Sequence, residues 1–410
     1  MGSNSERVLI SSAEGDCVFY PLYNVPMARK LKILEVCNLD RFAASPYMLP
    51  LFRGLVEQGH EVHLACRVTS FADPLEQAGI VVHDIPITRS VTPLSDLKTY
   101  RRLKSLIREE DYYLVHTHNP KDGVLGRTAA WKLSVPAVLH TCNGFYFSHR
   151  SSRLKRRLVL KAERFAGKRC NLVIFVNTDD LALAAAKKVV GATKARLIYN
   201  GVDLERFGPG EDDGLRDELG IPAGATVIGY IGEVKRERNL DVLVRAAARL
   251  LPDHPDLYLV LVGDSSMEPQ EPGHLQKLAA EQEPGLAGRL VFTGYRFDPE
   301  RFYRIFDVYA LPSTREGFGV TLIEAMATKV PVVACRVRGP KEIVDDGVDG
   351  ILVQDRDPDE LADALSFYLE APEAVSNYIK RARAKVEEEF DHAIMRSKLY
   401  DEYSRLTGSA

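Results

Sequence analysis

Short runs of almost continuously apolar residues recur along the whole chain, and each is separated from the next by a stretch with helical periodicity. Such runs are typical of parallel strands covered on both faces, whereas a half-exposed strand alternates apolar and polar residues. Strands that alternate with helices predict βαβ units, so we expect an α/β protein with two doubly wound domains. The runs are LKILEV, EVHLA, VVHDIP, YYLVH, AVLHT, LVIFV and ARLIY, then VIGYI, LYLVLVG, LVFTG, DVYALP, VPVVACR and GILV. In the first half, helices are predicted over 45–58, 94–109, 120–132, 151–168 and 178–190.

The chain has 410 residues, enough for two or three domains at roughly 150 residues each. Glycine, proline and acidic residues crowd together at 200–224, which predicts a domain boundary there. The first 26 residues show no clear period and precede Met27, so they are either an extension outside the fold or the product of an alternative start site. We therefore predict an extension over 1–26, domains over 27–205 and 206–388, and an amphipathic helix over 389–410 that packs back on the first domain.

The composition is that of an ordinary globular protein, with 45% apolar and 27% charged residues. No run approaches the ~18 apolar residues of a membrane-spanning helix, and the start lacks the basic and apolar regions of a signal peptide. Six cysteines are scattered without a CxxC pair, which argues against a disulfide framework and a structural zinc site. A cytoplasmic protein is expected.

The net charge of -3 conceals two halves of opposite sign. Residues 1–200 contain 29 Lys and Arg against 18 Asp and Glu, a net +11, while the remaining 25 and 39 give residues 201–410 a net -14. The halves therefore suit different partners. A basic half suits nucleic acid, an anionic membrane or a phosphorylated acceptor.

The segment 150–169 contains nine Lys and Arg and one acid, Glu163, with an apolar stripe of Leu154, Leu158, Ala162 and Phe165. A basic amphipathic helix of this kind is typical of peripheral binding to an anionic membrane surface, here the inner face of the membrane. The alternative is that the stripe packs on the sheet and the basic groups are merely solvated. Nucleic acid is disfavoured, because the chain has no recognisable nucleic-acid-binding motif and is acidic overall.

Ligands of open parallel sheets bind beyond the carboxyl ends of the strands, so the loops after strands carry the functional signal. In 312–334 the strand DVYAL is followed by the turn Glu316-Gly-Phe-Gly319 and a helix that carries Glu324. The glycines allow close approach of a ligand to the backbone, and the helix start near Val320 and Thr321 suits a phosphate. Carboxylates eight residues apart suit paired hydroxyls such as those of sugars and ribose.

A second loop, IGEVKRERN at 231–239, places Lys235, Arg236 and Arg238 between a strand and a helix. Such a cluster either grips a diphosphate or is simply solvated. In the first half, His116 and His118 lie on one face at the end of the strand YYLVH. No further metal ligand can be placed near them from the sequence, so we predict no metal and favour a structural or acceptor-contact role.

The segment 312–334 resembles the EX7E signature of family 4 of the retaining glycosyltransferases, whose fold, GT-B, has two doubly wound Rossmann-like domains facing a central cleft. The flanking text VFTGYRFDPERFYRIFDVYALPS, CRVRGPKEIVDDGVDGILVQDRDPDELADAL and YNGVDLERF is also similar to that family. In the first half, LVHTHNPKDGVLGRTAAWKLSVPAVLHTCNGFYF resembles the acceptor domain of bacterial members that build cell-surface polysaccharides. The resemblance covers about residues 31–405.

For the donor, the resemblance implies that Glu316 holds hydroxyls of the sugar and that Glu324 binds the ribose. It implies that Gly317, Phe318 and Gly319 place backbone N–H groups by the sugar and diphosphate, and that the backbone of Tyr295 and Arg296 meets the base. Arg238 stands where the family has a Lys that clamps the diphosphate. Glu233 stands where many members have an Arg, and Lys235 is the candidate replacement.

On the acceptor side the resemblance implicates His118, Asn143 and Ser45. Asn143 stands where the family commonly has a His, and an amide cannot take up a proton near neutral pH. The first loop, LDRFAASPYMLPL, lacks the glycine-rich turn that some members use, and the small residues Ala43, Ala44 and Ser45 are the candidates in its place.

The resemblance therefore implies a metal-independent enzyme without a cofactor that moves a sugar from a nucleotide sugar, with a UDP-sugar favoured. The acceptor is expected to be a saccharide, lipid-linked, in surface polysaccharide synthesis. A nucleotide-sugar epimerase, which shares the architecture, and a non-catalytic nucleotide-sugar-binding protein stay open as alternatives. A nicotinamide dehydrogenase is disfavoured, because no G-x-G-x-x-G follows a strand.

Overall fold

The computed structural model describes residues 7–11, 17–21, 30–88, 92–147 and 151–408. The chain divides into two compact units. Unit 1 consists of the chain up to Gly201 together with the segment from His392 onward, and unit 2 is Val202–Asp391. The boundaries between the units lie at 201/202 and 391/392. The sequence analysis placed them at 205/206 and 388/389.

Unit 1 contains nine described strands, and from the third strand onward helices lie between them along the chain. The strands are β1 Arg7–Ser11, β2 Cys17–Pro21, β3 Lys32–Leu39, β4 Glu61–Arg67, β5 Val81–Asp84, β6 Leu114–Thr117, β7 Ala137–Cys142, β8 Leu172–Phe175 and β9 Ala195–Leu197. The helices are α1 Asp40–Ala43, α2 Leu49–Glu57, α3 Asp73–Gln77, α4 Pro93–Glu110, α5 Pro120–Lys132, α6 Arg153–Gly167 and α7 Thr178–Ala186.

Unit 2 has the same alternation, and the last helix of the chain returns to unit 1. The strands are β10 Val227–Ile231, β11 Tyr258–Val262, β12 Leu290–Gly294, β13 Val308–Leu311, β14 Val332–Cys335 and β15 Ile351–Val353. The helices are α8 Leu215–Leu219, α9 Leu240–Leu250, α10 Glu271–Gln282, α11 Pro284–Ala287, α12 Pro299–Tyr303, α13 Val320–Ala327, α14 Pro340–Ile343, α15 Pro358–Glu370, α16 Pro372–Glu389 and α17 His392–Thr407.

Both main sheets are fully parallel. Their strand orders are β5-β4-β3-β6-β7-β8-β9 in unit 1 and β12-β11-β10-β13-β14-β15 in unit 2. In each sheet the order reverses once, between β3 and β6 and between β10 and β13. Such a switch point leaves a crevice at the carboxyl ends of the two central strands, which is where open α/β sheets bind ligands.

The parallel strands are apolar throughout because helices cover both faces of the sheet. In β3, Ile33 and Cys37 belong to one core cluster with α2 and α17, while Leu34 and Val36 belong to the cluster on the opposite face. Met395, Leu399 and Tyr403 anchor α17 in the first of these clusters, with Leu406 packed against it. Helix α17 therefore completes one face of the unit 1 core.

The structure differs from the sequence-based expectation in a few places. Residues 7–11 and 17–21 pair as antiparallel strands although no period was evident there, and the rest of the predicted extension lies outside the described residues, as does Arg150 of the basic segment. Helix α2 begins at Leu49 rather than at residue 45, because residues 44–48 form a turn after the short helix α1. Among the described residues, no helix combines the length and the apolar character needed to cross a bilayer.

Candidate active site

The switch point of unit 2 brings together the two loops singled out in the sequence. Strand β10 leads into the basic loop at 232–239, and its neighbour β13 leads into the turn at 312–319. The side chain of Asn239, which has a left-handed φ of 61°, donates from Nδ2 to the Pro312 carbonyl at 3.1 Å. This contact fixes the end of one loop to the start of the other.

Two glycines hold the basic loop close to its neighbouring strand end. A Cβ on Gly263, which has φ +151°, would lie 1.7 Å from the Gly232 carbonyl oxygen. A Cβ on Gly232 would lie 2.5 Å from the Tyr230 hydroxyl, which itself donates to the Glu233 carbonyl at 3.0 Å. The loop conformation therefore depends on two positions that only glycine fits.

The basic loop presents charges that are already paired. Arg238 donates from Nη1 to Glu316 Oε1, and the side chains are only 22% and 14% exposed. The Lys235 ammonium donates to Glu233 Oε2 at 2.5 Å, and the same oxygen lies 3.9 Å from Arg238 Nη2. Glu233, where many family members have an Arg, thus pairs with Lys235 and lies at ion-pair distance from Arg238, whose direct hydrogen bond goes to Glu316.

The turn after β13 ends at Gly319, which caps the start of α13 and has a left-handed φ of +109°. Helix α13 carries Glu324, which is buried, and the Tyr303 hydroxyl donates to Glu324 Oε2 at 2.8 Å. Burial raises the pKa of Glu324 to about 7, with the Tyr303 hydrogen bond acting in the opposite direction. A carboxyl group whose pKa lies near 7 is partly ionised at neutral pH, and its ionised form accepts hydrogen bonds from hydroxyl groups strongly.

Tyr295 and Arg296 follow β12 in a loop that its own side chains brace. The Arg296 guanidinium binds both oxygens of Asp298 at 2.9 Å and donates to Glu218 at 2.7 Å. The Tyr295 ring contacts Phe297 edge to face, with centroids 5.1 Å apart. The Arg296 side chain is therefore bound to neighbouring carboxylates, whereas Phe297 in the same loop is exposed.

In unit 1, the switch point collects buried polar side chains instead of a charged loop. Glu35 on β3 lies in register with His116 on the neighbouring β6. Glu35, His116 and His118 are all buried, and the two imidazole centroids are 4.1 Å apart. Burial, with the neighbouring His118 and His140, holds the pKa of His116 well below its ordinary value, so His116 is neutral.

The predicted acceptor residues are only partly brought together. Asn143 donates from Nδ2 to the His118 carbonyl at 2.9 Å. Ser45 instead serves its own turn, since its hydroxyl donates to the Phe42 carbonyl at 2.7 Å. Ala43 and Ala44, proposed from the sequence as a small-residue loop for a ligand, are buried in the core cluster of unit 1.

Two family models match the chain. The model described as Glycosyltransferase Family 4 matches residues 44–206, and the model described as Glycosyl transferases group 1 matches residues 211–385. The UDP-Gal:alpha-D-GlcNAc-diphosphoundecaprenol alpha-1,3-galactosyltransferase of Escherichia coli is 30% identical over 323 residues, which cover 77% of this chain and 81% of that enzyme. The chain belongs to glycosyltransferase family 4. The resemblance inferred from the EX7E segment is therefore confirmed.

Other relatives of this glycosyltransferase do not share, in their names, the acceptor named for the Escherichia coli enzyme. The putative glycosyltransferase EpsD of Bacillus subtilis is 30% identical, with 83% of this chain and 88% of that protein covered. A D-inositol 3-phosphate glycosyltransferase of Saccharomonospora viridis is 33% identical, with 80% and 81% covered. Family membership alone therefore does not fix the acceptor.

Solved structures share the architecture of this glycosyltransferase. HepE of Anabaena, solved with UDP and glucose, has a TM-score of 0.79 at 22% identity, with 91% of this chain and 99% of that chain covered. WaaG, a glycosyltransferase involved in lipopolysaccharide biosynthesis, has a TM-score of 0.73 at 15% identity, with 90% and 99% covered. The expected GT-B fold of two parallel-sheet α/β domains is confirmed.

Sequence reasoning missed several residues that shape the site of this glycosyltransferase. Tyr303 entered the sequence analysis only within the text that flanks the EX7E segment, although its hydroxyl donates to Glu324. Glu35 was passed over within LKILEV, where an acid inside an otherwise apolar strand was the available signal. Tyr403 was assigned to the apolar face of the last helix, yet its hydroxyl reaches Glu35 Oε1 at 3.1 Å.

Proposed function

We propose that this glycosyltransferase moves a sugar from a UDP-sugar to a hydroxyl of a lipid-linked saccharide with retention of anomeric configuration, in surface polysaccharide synthesis. The observation that carries the proposal is the pairing of Arg238 with Glu316 at the switch point of unit 2. One loop thereby offers a cation and the other a carboxylate, the two groups that a diphosphate and a sugar require.

Each part of the donor has a proposed partner in unit 2. Glu324 binds the ribose hydroxyls, and the backbone of Tyr295 and Arg296 meets the base. Backbone N–H groups along Gly317–Thr321, which includes Phe318, Gly319 and Val320, contact the sugar and diphosphate. Arg238, with Lys235, holds the diphosphate, and Glu316 turns to the sugar hydroxyls.

In the proposed reaction the bond between the sugar C1 and the diphosphate oxygen breaks, and a bond from C1 to the acceptor oxygen forms on the same face. The acceptor proton passes to the departing diphosphate. Arg238 stabilises the charge that develops on the leaving oxygen, a contribution of about 3–4 kcal/mol for one well-placed donor. His118 and Asn143, with Ser45 as a further candidate, serve the acceptor in unit 1.

The outer surface of α6 favours a lipid-linked acceptor. The stripe predicted either to pack on the sheet or to face a membrane is exposed, with Leu154, Leu158 and Phe165 at 67%, 59% and 46%. The helix is instead anchored by its opposite face, where Glu163, Ala166 and Gly167 are buried. Exposed apolar side chains flanked by basic groups match an anionic membrane, so we propose peripheral membrane binding through this helix.

No acidic side chain of α6 lies on this exposed basic surface, because the one acid of the helix, Glu163, is buried. Glu163 accepts from Arg127 Nη2 at 2.8 Å, and both residues are buried. Arg153, Arg157 and Lys161 are exposed beside the apolar stripe. The relative in Escherichia coli is named for an acceptor on diphosphoundecaprenol, which agrees with a membrane-bound acceptor here.

The decisive experiment offers purified protein a panel of UDP-, GDP- and ADP-sugars with two acceptors, GlcNAc-α-diphosphoundecaprenol and D-inositol 3-phosphate. We expect transfer from a UDP-sugar to the lipid-linked acceptor and an α-linked product by NMR. Transfer to the inositol phosphate alone would overturn the lipid-linked acceptor, and a β-linked product would overturn retention. Conversion of a nucleotide sugar without acceptor would identify an epimerase, and donor binding with neither transfer nor hydrolysis a non-catalytic binding protein.

A further inference from the structure

Glu35 is a fully buried acid at the switch point of unit 1. An ionised carboxylate taken out of water needs compensating hydrogen bonds or charges. Within the described residues, its polar side-chain contacts are His118 Nε2 at 2.6 Å, the Tyr403 hydroxyl at 3.1 Å and His116 Nδ1 at 3.5 Å. One carboxylate is therefore contacted by His116 on β6, by His118 just after that strand, and by Tyr403 on α17.

These contacts determine which ring nitrogen of His118 carries the hydrogen. A carboxylate oxygen accepts, so the short contact requires the hydrogen on Nε2 of His118 and leaves Nδ1 with a lone pair when the ring is neutral. Nδ1 is buried, and no described residue gives it a hydrogen-bond partner. Asn143 holds the backbone of the same residue through its carbonyl.

The second carboxylate oxygen is fixed as well. The Tyr403 hydroxyl donates to Glu35 Oε1 and lies 2.6 Å from His116 Nδ1, while His116 Nε2 lies 2.8 Å from the Thr141 hydroxyl. With His116 neutral, one set of donors satisfies this chain: Thr141 to His116, His116 to Tyr403, and Tyr403 to Glu35. Glu35 therefore has a single orientation available to it.

A zinc site would use the same kinds of side chain, but the distances argue against it. Ligands at about 2.0–2.2 Å from a tetrahedral zinc ion lie about 3.3–3.6 Å from one another. Glu35 Oε2 and His118 Nε2 are 2.6 Å apart, which is the distance of a hydrogen bond.

We infer that Glu35 is a positioning residue that acts through His118: it fixes the Nε2–H tautomer and so keeps Nδ1 as the hydrogen-bond acceptor of this ring. The inference rests on the acceptor role proposed above for His118. Glu35 itself touches neither substrate. Tyr403 extends the same function to the last helix of the chain, which supplies the hydroxyl that orients the carboxylate.

The tautomer can be tested without any substrate. Full-length protein labelled with ¹⁵N-histidine is compared by long-range ¹H–¹⁵N NMR with Glu35→Gln, and His118→Gln identifies the His118 signals. We expect a protonated Nε2 and an unprotonated Nδ1 in the wild type, and tautomer averaging in Glu35→Gln, whose amide can also donate. Tyr112→Phe is the matched control, because it removes a hydroxyl 2.6 Å from His63 on the same sheet and should leave His118 unchanged. An Nδ1–H tautomer in the wild type, or His118 signals that ignore Glu35→Gln, would overturn the inference.

Kinetics test whether the position matters for transfer. With GlcNAc-α-diphosphoundecaprenol as acceptor, Glu35→Gln should lower kcat by roughly 10- to 100-fold, the range typical of losing a carboxylate that orients a functional imidazole. The donor KM should stay constant, and no further loss should appear in a His118→Gln background. The role would be refuted if the losses in kcat from Glu35→Gln and His118→Gln were additive. It would also be refuted if the wild type contained one equivalent of zinc and Glu35→Gln contained none. The expected tautomer in a protein that transfers to no acceptor would instead contradict the proposed function and uphold the positioning of His118.

Discussion

The guanidinium of Arg238 and the carboxylate of Glu316 form an ion pair that ties the loop after β10 to the loop after β13. The two residues are 78 positions apart in the chain and meet because β10 and β13 are neighbours at the switch point of unit 2. Each group keeps the other in place before a donor arrives. In the proposed reaction the diphosphate takes over as partner of Arg238.

Replacing Arg238 should impair turnover more than any other single change in the basic loop. Arg238→Ala should lower kcat by about 10²- to 10³-fold, the usual loss of one preorganised charge-stabilising donor. Arg238→Lys should recover part of this, because it restores the charge without the bidentate geometry. Steady-state transfer assays measure both, with Arg249→Ala on α9, paired with Asp359, as the control. Near-normal turnover in Arg238→Ala would move the role to Lys235.

Glu316 and Glu324 should separate in a binding experiment. Glu324→Ala removes charged hydrogen bonds to the ribose and should weaken UDP binding by roughly 10- to 100-fold, equivalent to about 1.5–3 kcal/mol. Glu316→Ala should leave UDP binding intact, because UDP lacks the transferred sugar that Glu316 is proposed to hold, while transfer falls. Calorimetric titration of both variants with UDP checks this. Two variants that bind UDP like the wild type would show the ribose assignment to be wrong.

The buried Glu324 should make stability and binding respond to pH in opposite ways. Its native pKa, raised by burial to about 7, exceeds the ordinary 4.5, so the folded protein binds more protons in between. Stability from this group is therefore fully present below about pH 4.5 and lost as the pH rises through 7, whereas ribose binding needs the ionised form. Glu324→Gln keeps the acceptor for Tyr303 without charge, so we expect a higher Tm than wild type at pH 8 and little difference at pH 5.

UDP affinity should fall in the wild type as the pH drops below 7 and should be low and flat in Glu324→Gln. Thermal unfolding and titration at pH 5, 6, 7 and 8 provide both curves. Glu281→Gln, at an exposed position on α10, controls for the loss of one negative charge. A Tm of Glu324→Gln at or below that of the wild type at pH 8 would mean that the Glu324 charge is not destabilising.

Much of this molecule could be predicted from its sequence, because the signals are local. Apolar runs report parallel strands that are buried on both faces, and the turn at 316–319 marks the loop after a central strand. What escaped prediction depends on contacts between distant segments. Tyr303 and Tyr403 look like apolar side chains in their helices, and only the fold shows which carboxylate each hydroxyl reaches. The sequence left open whether Leu154 and Leu158 pack on the sheet or face a membrane, since periodicity defines the stripe of a helix but not the side that faces the sheet; both side chains are exposed.

The close approach of Gly263 to Gly232 should make the first position intolerant of a side chain. Gly263→Ala would place a methyl group 1.7 Å from the Gly232 carbonyl oxygen, so the basic loop must move. We expect a loss of about 1–3 kcal/mol in stability and weaker UDP binding. Gly273→Ala in α10 is the matched control, since its Cβ meets nothing within 4 Å and should stabilise by about 0.5–1 kcal/mol. Urea unfolding compares the two, and equal midpoints would refute the packing argument.

The exposed face of α6 should bind anionic vesicles, with charge and apolar contact contributing separately. Each basic group near such a surface adds about 1 kcal/mol, screened over about 8–10 Å at physiological salt. Sedimentation with phosphatidylglycerol vesicles should therefore show binding that declines as salt rises and is absent with phosphatidylcholine. Reversing Arg153, Arg157 and Lys161 to Glu should abolish binding, while Leu154→Ser with Leu158→Ser should weaken it and leave its salt dependence.

The same charge change in α4, at Arg101, Arg102 and Arg108, should have little effect, and UDP binding should survive in every variant. Wild-type protein that ignores anionic vesicles at low salt, or an α4 triple variant as defective as the α6 one, would contradict membrane binding through α6 and favour a soluble acceptor.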